Sequence, residues 1–183
     1  MINTNGGFNL YLGNNPNADG LFVSIAATPM GSAWKAMRAK GELYASTQLK
    51  FKAIEWISAH PAAFAQLAVK KAGLLWLPPI HQGQGTPSKM ETISRVVWLL
   101  QYIALCALAL YVLATIKRQN RVVVAIGAGL ILYTGVHMLF YVIFRYREPI
   151  MPLVIVLAAI GVENFAYRFA PARTHRSKLS KAP

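Results

Sequence analysis

The second half of the chain alternates long apolar runs with short charged breaks. The apolar runs cover residues 97–116, 122–144 and 150–167. An α-helix needs about 20 predominantly apolar residues to cross the hydrocarbon core of a bilayer. The pattern therefore predicts three transmembrane helices. The break at 145–149 predicts a tight turn that holds two arginines and a glutamate where two spans meet the membrane surface.

Residues 1–90 lack such runs, and their pattern predicts shorter secondary-structure elements. The first 31 residues are rich in Asn, Gly and Pro, which indicates consecutive turns, with FNLYL a short strand at most. A helical pattern over residues 34–58 follows, in two pieces that meet near Gly41. Pro61 then begins a helix that ends near Leu77 and carries Lys70 and Lys71 at its centre. We expect this helix to lie along the membrane interface, with both lysines turned outward to reach water or to attract anionic head groups.

These patterns predict an all-α integral membrane protein. An external region of Asn/Gly-rich loop and amphipathic helices covers residues 1–90, a membrane domain covers 91–167, and a basic tail covers 168–183. Aromatic residues near the ends of the spans form the expected interfacial belt, which consists of Trp98, Tyr102, Tyr141, Tyr146 and Tyr167.

Basic residues predict the orientation, because they accumulate on the cytoplasmic side of membrane proteins. Eight of them flank one side of the predicted spans, namely Lys117, Arg118, Arg121, Arg168, Arg173, Arg176, Lys178 and Lys181. We therefore expect the C-terminal tail in the cytoplasm and residues 1–90 outside. The start MINTNGGFNLYLG lacks the charged and apolar regions of a signal peptide. Either the first span carries the residues before it across the membrane, or the chain is the end of a longer membrane protein, and we expect the second.

Composition excludes several other classes of function. Charged residues make up only 14% of the chain, and the net charge of +13 lies in short clusters between apolar runs, unlike the basic stripe of a nucleic-acid-binding protein. The single cysteine, Cys106, excludes a disulfide framework, and the four histidines have no ligand-like spacing, so we expect no metal site. No phosphate-binding glycine motif appears, and we expect no cofactor. An ion conduit is poorly supported, since only His137 offers an ionisable group in mid-span.

Three motifs occur in an order that is known from one family: the loop NTNGGFNLYLGNNPNADG, the helix IEWISAHPAAFAQLAVKKAGLLW and the turn FRYREPIMPLVIVLAA. In this combination the chain resembles the C-terminal part of bacterial membrane glycosyltransferases of the GT-C superfold, which include aminoarabinose transferases and protein O-mannosyltransferases. The resemblance covers nearly all of residues 2–167. It implies an inner-membrane protein with a periplasmic N-terminal region, and a sugar donor linked to polyprenyl phosphate on the outer face.

The resemblance also implies that the chain does not catalyse transfer alone. Enzymes of this group carry their catalytic acids in the first external loop, and the sequence has no counterpart of that loop. We therefore expect the C-terminal portion of such an enzyme, a fragment or split-gene product without catalytic residues of its own, with the missing part as a possible partner chain. The alternative is a small non-enzymatic membrane protein that acts as an accessory subunit or lipid-binding scaffold. An acidic external loop on a partner chain would separate the two.

The two arginines of the break are the first candidate site. A guanidinium presents forked donors that match phosphate oxygens, so Arg145 and Arg147 are candidates for binding a lipid phosphate. Outside the membrane they also run against the positive-inside bias, which suggests a role beyond topology. The alternative is that both are interfacial anchors and that one pairs with Glu148.

The Asn-rich loop offers a weaker candidate site. Asn9, Tyr11, Asn14 and Asn15 could hydrogen-bond to and stack on a sugar or acceptor. The alternative is that the Asn and Gly residues of this loop supply left-handed turn geometry. His137 is either functional or a neutral histidine bonded to a neighbouring helix. Glu163 lies close enough to the cytoplasmic end to reach Arg168 and carries no predicted chemistry.

Overall fold

The computed structural model describes residues 5–78, 88–115 and 120–169. Residues 170–183 of the predicted basic tail, and Lys117 and Arg118 of the connecting loop, lie outside the described residues, whereas Arg168 and Phe169 form the end of the last helix. Within the described ranges, the regular structure is helical and no β-strand occurs. Seven α-helices follow one another: α1 Gly6–Gly13, α2 Gly31–Ala39, α3 Glu42–Ala59, α4 Pro61–Trp76, α5 Lys89–Thr115, α6 Arg121–Leu139 and α7 Met151–Phe169.

Three of the helical segments are long and apolar enough to cross a membrane, as the sequence predicts. They are Lys89–Thr115, Arg121–Leu139 and Arg145–Tyr167. The third combines α7 with a preceding 3-10 helix, Phe144–Ile150. We call the end of this bundle at which α6 finishes and α7 begins the turn end.

Helices α5 and α7 run side by side in the same direction. Near the turn end, Tyr102 of α5 and Met151 of α7 line the same cavity, and farther along Gly161 of α7 packs against Leu108 and Val112. Gly161 leaves room for this approach, because a Cβ there would lie 3.1 Å from the Leu108 carbonyl oxygen. The buried apolar residues between the three long helices are Ala109, Val112, Val123, Leu130, Ile150, Val154 and Leu157.

The second span ends earlier than predicted, and the prediction of a tight turn at 145–149 is wrong. Helix α6 stops at Leu139, and the next residues are extended, with Val142 donating its backbone N–H to Gly20 O at 2.8 Å in an isolated parallel bridge. The 3-10 helix follows. The apolar run continued through this region because residues 140–143 are packed against the N-terminal loop, and burial in protein and burial in lipid require the same apolar side chains.

The prediction of a short strand at FNLYL is wrong, because these residues lie in helix α1. Its residues are poor helix formers, yet it packs closely on α3, where Gly7 lies directly against Ser46 and donates its N–H to the Ser46 hydroxyl at 3.2 Å. Tyr11 adds a buried ring against Leu49 and Ala53 of α3. Tertiary packing therefore overrides the local turn preference of the Asn and Gly residues.

Helix α4 packs along α6 rather than standing apart from the bundle. Trp76 donates its indole N–H to Thr134 at 3.1 Å, and Lys71 donates to the Met138 carbonyl at 3.3 Å, so α4 runs from the turn end towards the middle of the bundle. Lys70 is exposed, as predicted for a snorkelling lysine. The prediction for Lys71 is wrong, because its side chain is fully buried at 0% exposure.

Candidate functional site

The 3-10 helix separates the two candidate arginines. A 3-10 helix has about three residues per turn, so residues two apart point about 120° away from each other. Arg145 consequently faces outward and is exposed, whereas Arg147 is only 5% exposed. The two side chains are therefore not a joint clamp, and Arg147 alone has the burial that a built site requires.

Arg147 is held between α4 and α5 near the turn end. Its Nη2 donates to the Leu77 carbonyl at 2.9 Å, just beyond the end of α4, and its guanidinium carbon lies 5.1 Å from the centre of the Tyr102 ring. Tyr102 follows Val97, where the apolar run begins, by five residues. At 1.5 Å per residue the Tyr102 backbone, beside the guanidinium, therefore lies about 8 Å along this apolar run.

The guanidinium has more donors than partners. Arginine carries five N–H groups, and the Nε and Nη1 atoms of Arg147 are buried without a hydrogen-bond partner. Nor does either arginine pair with Glu148 in the part of the chain that the structure describes, where the salt bridges are Lys52–Glu55 and Arg95–Glu91. Leaving a buried charge uncompensated costs about 3–5 kcal/mol. Such a group is a strong attractor for an anion.

A cavity of about 400 Å³ adjoins the guanidinium and has room for such an anion. Polar and charged groups lie beside apolar side chains in its wall. The lining residues are Trp98, Gln101, Tyr102, Leu105, Arg147, Glu148, Met151 and Ile155. A wall that joins a cation to apolar side chains of two potential membrane helices fits an amphiphile with an anionic head.

A second, smaller cavity has a volume of about 200 Å³. It is lined by Gly6, Asn9, His137, Phe140, Tyr141 and Tyr146. The His137 ring stacks on Tyr133 at 4.2 Å and its Nδ1 lies 2.9 Å from the Tyr133 carbonyl oxygen, within its own helix rather than on a neighbouring one. Burial is the main cause that raises the pKa of Tyr141 to about 12, so this phenol stays protonated at neutral pH.

Of the four residues predicted to contact a sugar or acceptor, Asn9 is the one that lines either of the two cavities described above. Asn14 and Asn15 are 0% and 1% exposed, and Tyr11 is buried in the α1–α3 contact. The left-handed turn geometry proposed as the alternative is found at Gly20 of this loop, with φ at +98°, but not at the asparagines, because no non-glycine residue in the described ranges has a positive φ. These asparagines are instead used for hydrogen bonds inside the protein.

Asn14 and Lys71 together donate hydrogen bonds to the carbonyls at the C-terminal end of α6. The last carbonyls of a helix have no partner within it. Asn14 Nδ2 donates to Leu139 O at 2.7 Å and Lys71 Nζ donates to Met138 O at 3.3 Å, while Lys71 also donates to Asn14 Oδ1 at 3.0 Å. Burial lowers the pKa of Lys71 to about 8.

The sequence did not identify Tyr102 and Trp76 as parts of the arginine site. Tyr102 was assigned to the aromatic belt, yet it is buried and its hydroxyl donates to the Trp76 carbonyl at 2.6 Å. The signal in the sequence was a tyrosine five residues inside an apolar run, since its hydroxyl needs a partner at that depth.

Glu163 is exposed on α7. The chain matches no protein-family model, no curated protein and no solved structure.

Proposed function

We propose that this protein binds the phosphate group of an anionic membrane lipid at Arg147. The observation that carries the proposal is a guanidinium that is nine-tenths buried, keeps Nε and Nη1 without partners, and lines a cavity between α5 and α7. A phosphate offers the oxygen acceptors that these donors lack. Arg145 is exposed and serves at most as a secondary attraction for the same charge.

The resemblance to GT-C glycosyltransferases supplies the identity of the lipid. On that basis we propose that the lipid is a polyprenyl-phosphate-linked sugar at the outer face of the inner membrane. The chain then acts as the C-terminal portion of a glycosyltransferase-like protein, and the catalytic acids come from another part. Asn9, beside the rings of the smaller cavity, is the residue of the Asn-rich loop best placed to contact the sugar or the acceptor.

The alternative is a non-enzymatic accessory subunit or lipid-binding scaffold. A scaffold that only holds a lipid phosphate needs no proton acceptor, whereas sugar transfer requires one. Glu148 is the one carboxylate in the lining of the two cavities described above, so sugar transfer at these cavities needs further acidic groups from another part of the assembly, and the scaffold does not. Both versions share Arg147 as the phosphate ligand.

The matched pair Arg147→Gln and Arg145→Gln tests the shared step. The protein is placed in nanodiscs, and binding is measured for a polyprenyl phosphate and for the polyprenol of the same chain length. A hydrogen bond to a charged group contributes about 1.5–3 kcal/mol, so Arg147→Gln should weaken phosphate binding by about tenfold or more and leave polyprenol binding unchanged. Arg145→Gln should have a small effect.

Equal binding of the two lipids by the wild-type protein would refute phosphate recognition. Unchanged phosphate binding in Arg147→Gln would remove Arg147 from the site. Glycosyl transfer is a separate readout: sugar transfer from a polyprenyl-phosphate donor by the intact assembly supports the enzyme, and lipid binding without any transfer favours the scaffold.

A further inference from the structure

Two hydrogen bonds and a cation–π contact lead from α6 to the guanidinium through two aromatic residues. The Trp76 indole N–H donates to the Thr134 hydroxyl at 3.1 Å, and the Trp76 carbonyl accepts from the Tyr102 hydroxyl at 2.6 Å. The Tyr102 ring then lies 5.1 Å from the guanidinium carbon of Arg147. Groups from three different helices are thereby connected to one buried cation.

The end of α4 fixes the guanidinium at two points. Trp76 orients the Tyr102 ring, and the next residue, Leu77, accepts the Nη2 hydrogen bond of Arg147. A guanidinium with one face against an aromatic ring and one nitrogen bonded to a carbonyl has little freedom to rotate. We therefore expect its remaining donors, on Nε and Nη1, which have no hydrogen-bond partner, to keep a constant direction. A preorganised group loses less entropy on binding than a mobile one.

We propose that Tyr102 and Trp76 are positioning residues that set the preference of the Arg147 site for a lipid phosphate over the corresponding uncharged lipid. Tyr102 supplies the surface on which the guanidinium rests, and Trp76 holds Tyr102 through its carbonyl and is itself held by Thr134. The inference rests on the proposed function, because it concerns how the same phosphate is recognised. It adds that recognition depends on the angle of the guanidinium as well as on its charge.

Tyr102→Phe is the sharpest test, because it keeps the ring beneath the guanidinium and removes only the hydroxyl that fixes the ring. The measurement is the ratio of the affinities for polyprenyl phosphate and polyprenol in nanodiscs, together with the thermal stability of the protein. We expect the ratio to fall about three- to tenfold, the range expected for the loss of one hydrogen bond, with polyprenol affinity unchanged. Tyr167→Phe is the control, since that ring is 75% exposed on α7.

A second variant, Trp76→Phe, removes the indole donor one step farther from the cation. It should lower the same ratio by a smaller factor, and it provides the test if Tyr102→Phe does not fold. An unchanged ratio in both variants overturns the inference. So does an equal loss of affinity for the two lipids, because a purely structural role would weaken binding of both.

Failure of this inference and failure of the proposed function give different results. If Arg147→Gln abolishes the preference for phosphate while Tyr102→Phe and Trp76→Phe retain it, only the positioning role is overturned. If the wild-type protein itself shows no preference, phosphate recognition at Arg147 is wrong and the positioning role falls with it.

Discussion

Because of Lys71, we expect the stability of the protein to increase as the pH rises above neutral. Its side chain is fully buried, and its ammonium group bonds to the Asn14 amide oxygen and the Met138 carbonyl, both of which are uncharged. No acidic side chain of the described residues pairs with it. Burial therefore lowers its pKa from 10.5 to about 8, and the folded state releases the proton more readily than the unfolded chain does.

The sign and size of the effect follow from this difference in pKa. Below about pH 8 both states carry the proton, and the folded protein bears the full cost of a buried charge. Between about pH 8 and 10.5 the unfolded chain binds more protons than the folded one, so stability rises with pH. At about 1.4 kcal/mol per pKa unit, the shift amounts to about 3 kcal/mol in total. In a chain of this size that gain corresponds to roughly 5–10 °C in Tm.

The assay compares the wild-type protein with Lys71→Met by thermal unfolding in detergent at pH values from 7 to 10. The variant keeps a long side chain and removes the titrating group, so the other ionisable groups cancel in the difference. The range stops at pH 10 because the raised pKa of Tyr141, about 12, makes the stability of both proteins fall once the pH exceeds the ordinary tyrosine value near 10.

We expect the Tm of the wild-type protein to rise relative to that of Lys71→Met as the pH increases from 7 to 10. A difference in Tm that stays constant over this range would show that Lys71 does not titrate there. In that case the ammonium group reaches water, as the sequence alone predicted, and its burial at the end of α6 is wrong.

Two further predictions concern packing and topology. Gly13→Ala should destabilise the protein by about 1–3 kcal/mol, because a Cβ there would lie 2.7 Å from the backbone of Phe140. Gly129→Ala is the control and should not destabilise it, because a Cβ there would meet nothing within 4 Å. Thermal unfolding of both variants tests the prediction, and equal stability of the two would contradict it. For topology, a cysteine at Ser88 should react with an impermeant thiol reagent added outside intact cells, and a cysteine at Asn120 should not; the reverse labelling would invert the orientation.

The three long helices could be predicted because hydropathy over 20 residues is a local property. The length and composition of each run are visible in the sequence, and one end of each helix agrees to within a few residues with the prediction. The end of α6 could not be found in this way. Whether Phe140 continues a helix depends on Gly13 and Gly20, which lie more than a hundred residues earlier in the chain and pack against the extended segment.

The burial of Lys71 and Arg147 could not be predicted for a related reason. Hydropathy places a lysine or arginine in water, and the sequence does not show which carbonyl will accept its hydrogen bond in the folded protein. Lys71 meets the Met138 carbonyl at the end of α6, and Arg147 meets the Leu77 carbonyl at the end of α4. In both cases the acceptor is an unpaired carbonyl at a helix C-terminus, where the helix dipole also favours positive charge. Helix ends are thus the places where this protein can bury a cation without a carboxylate.

The number of donors distinguishes the two cations. The ammonium of Lys71 has three N–H groups, and two of them are bonded to Asn14 and Met138 in a position with no exposed surface, so the group completes an internal contact. The guanidinium of Arg147 has five, of which the Leu77 carbonyl uses one, and it lines a cavity. A helix end alone therefore accounts for Lys71 but not for Arg147. The donors left over on Nε and Nη1 are the reason for which we propose a second, anionic partner at the arginine.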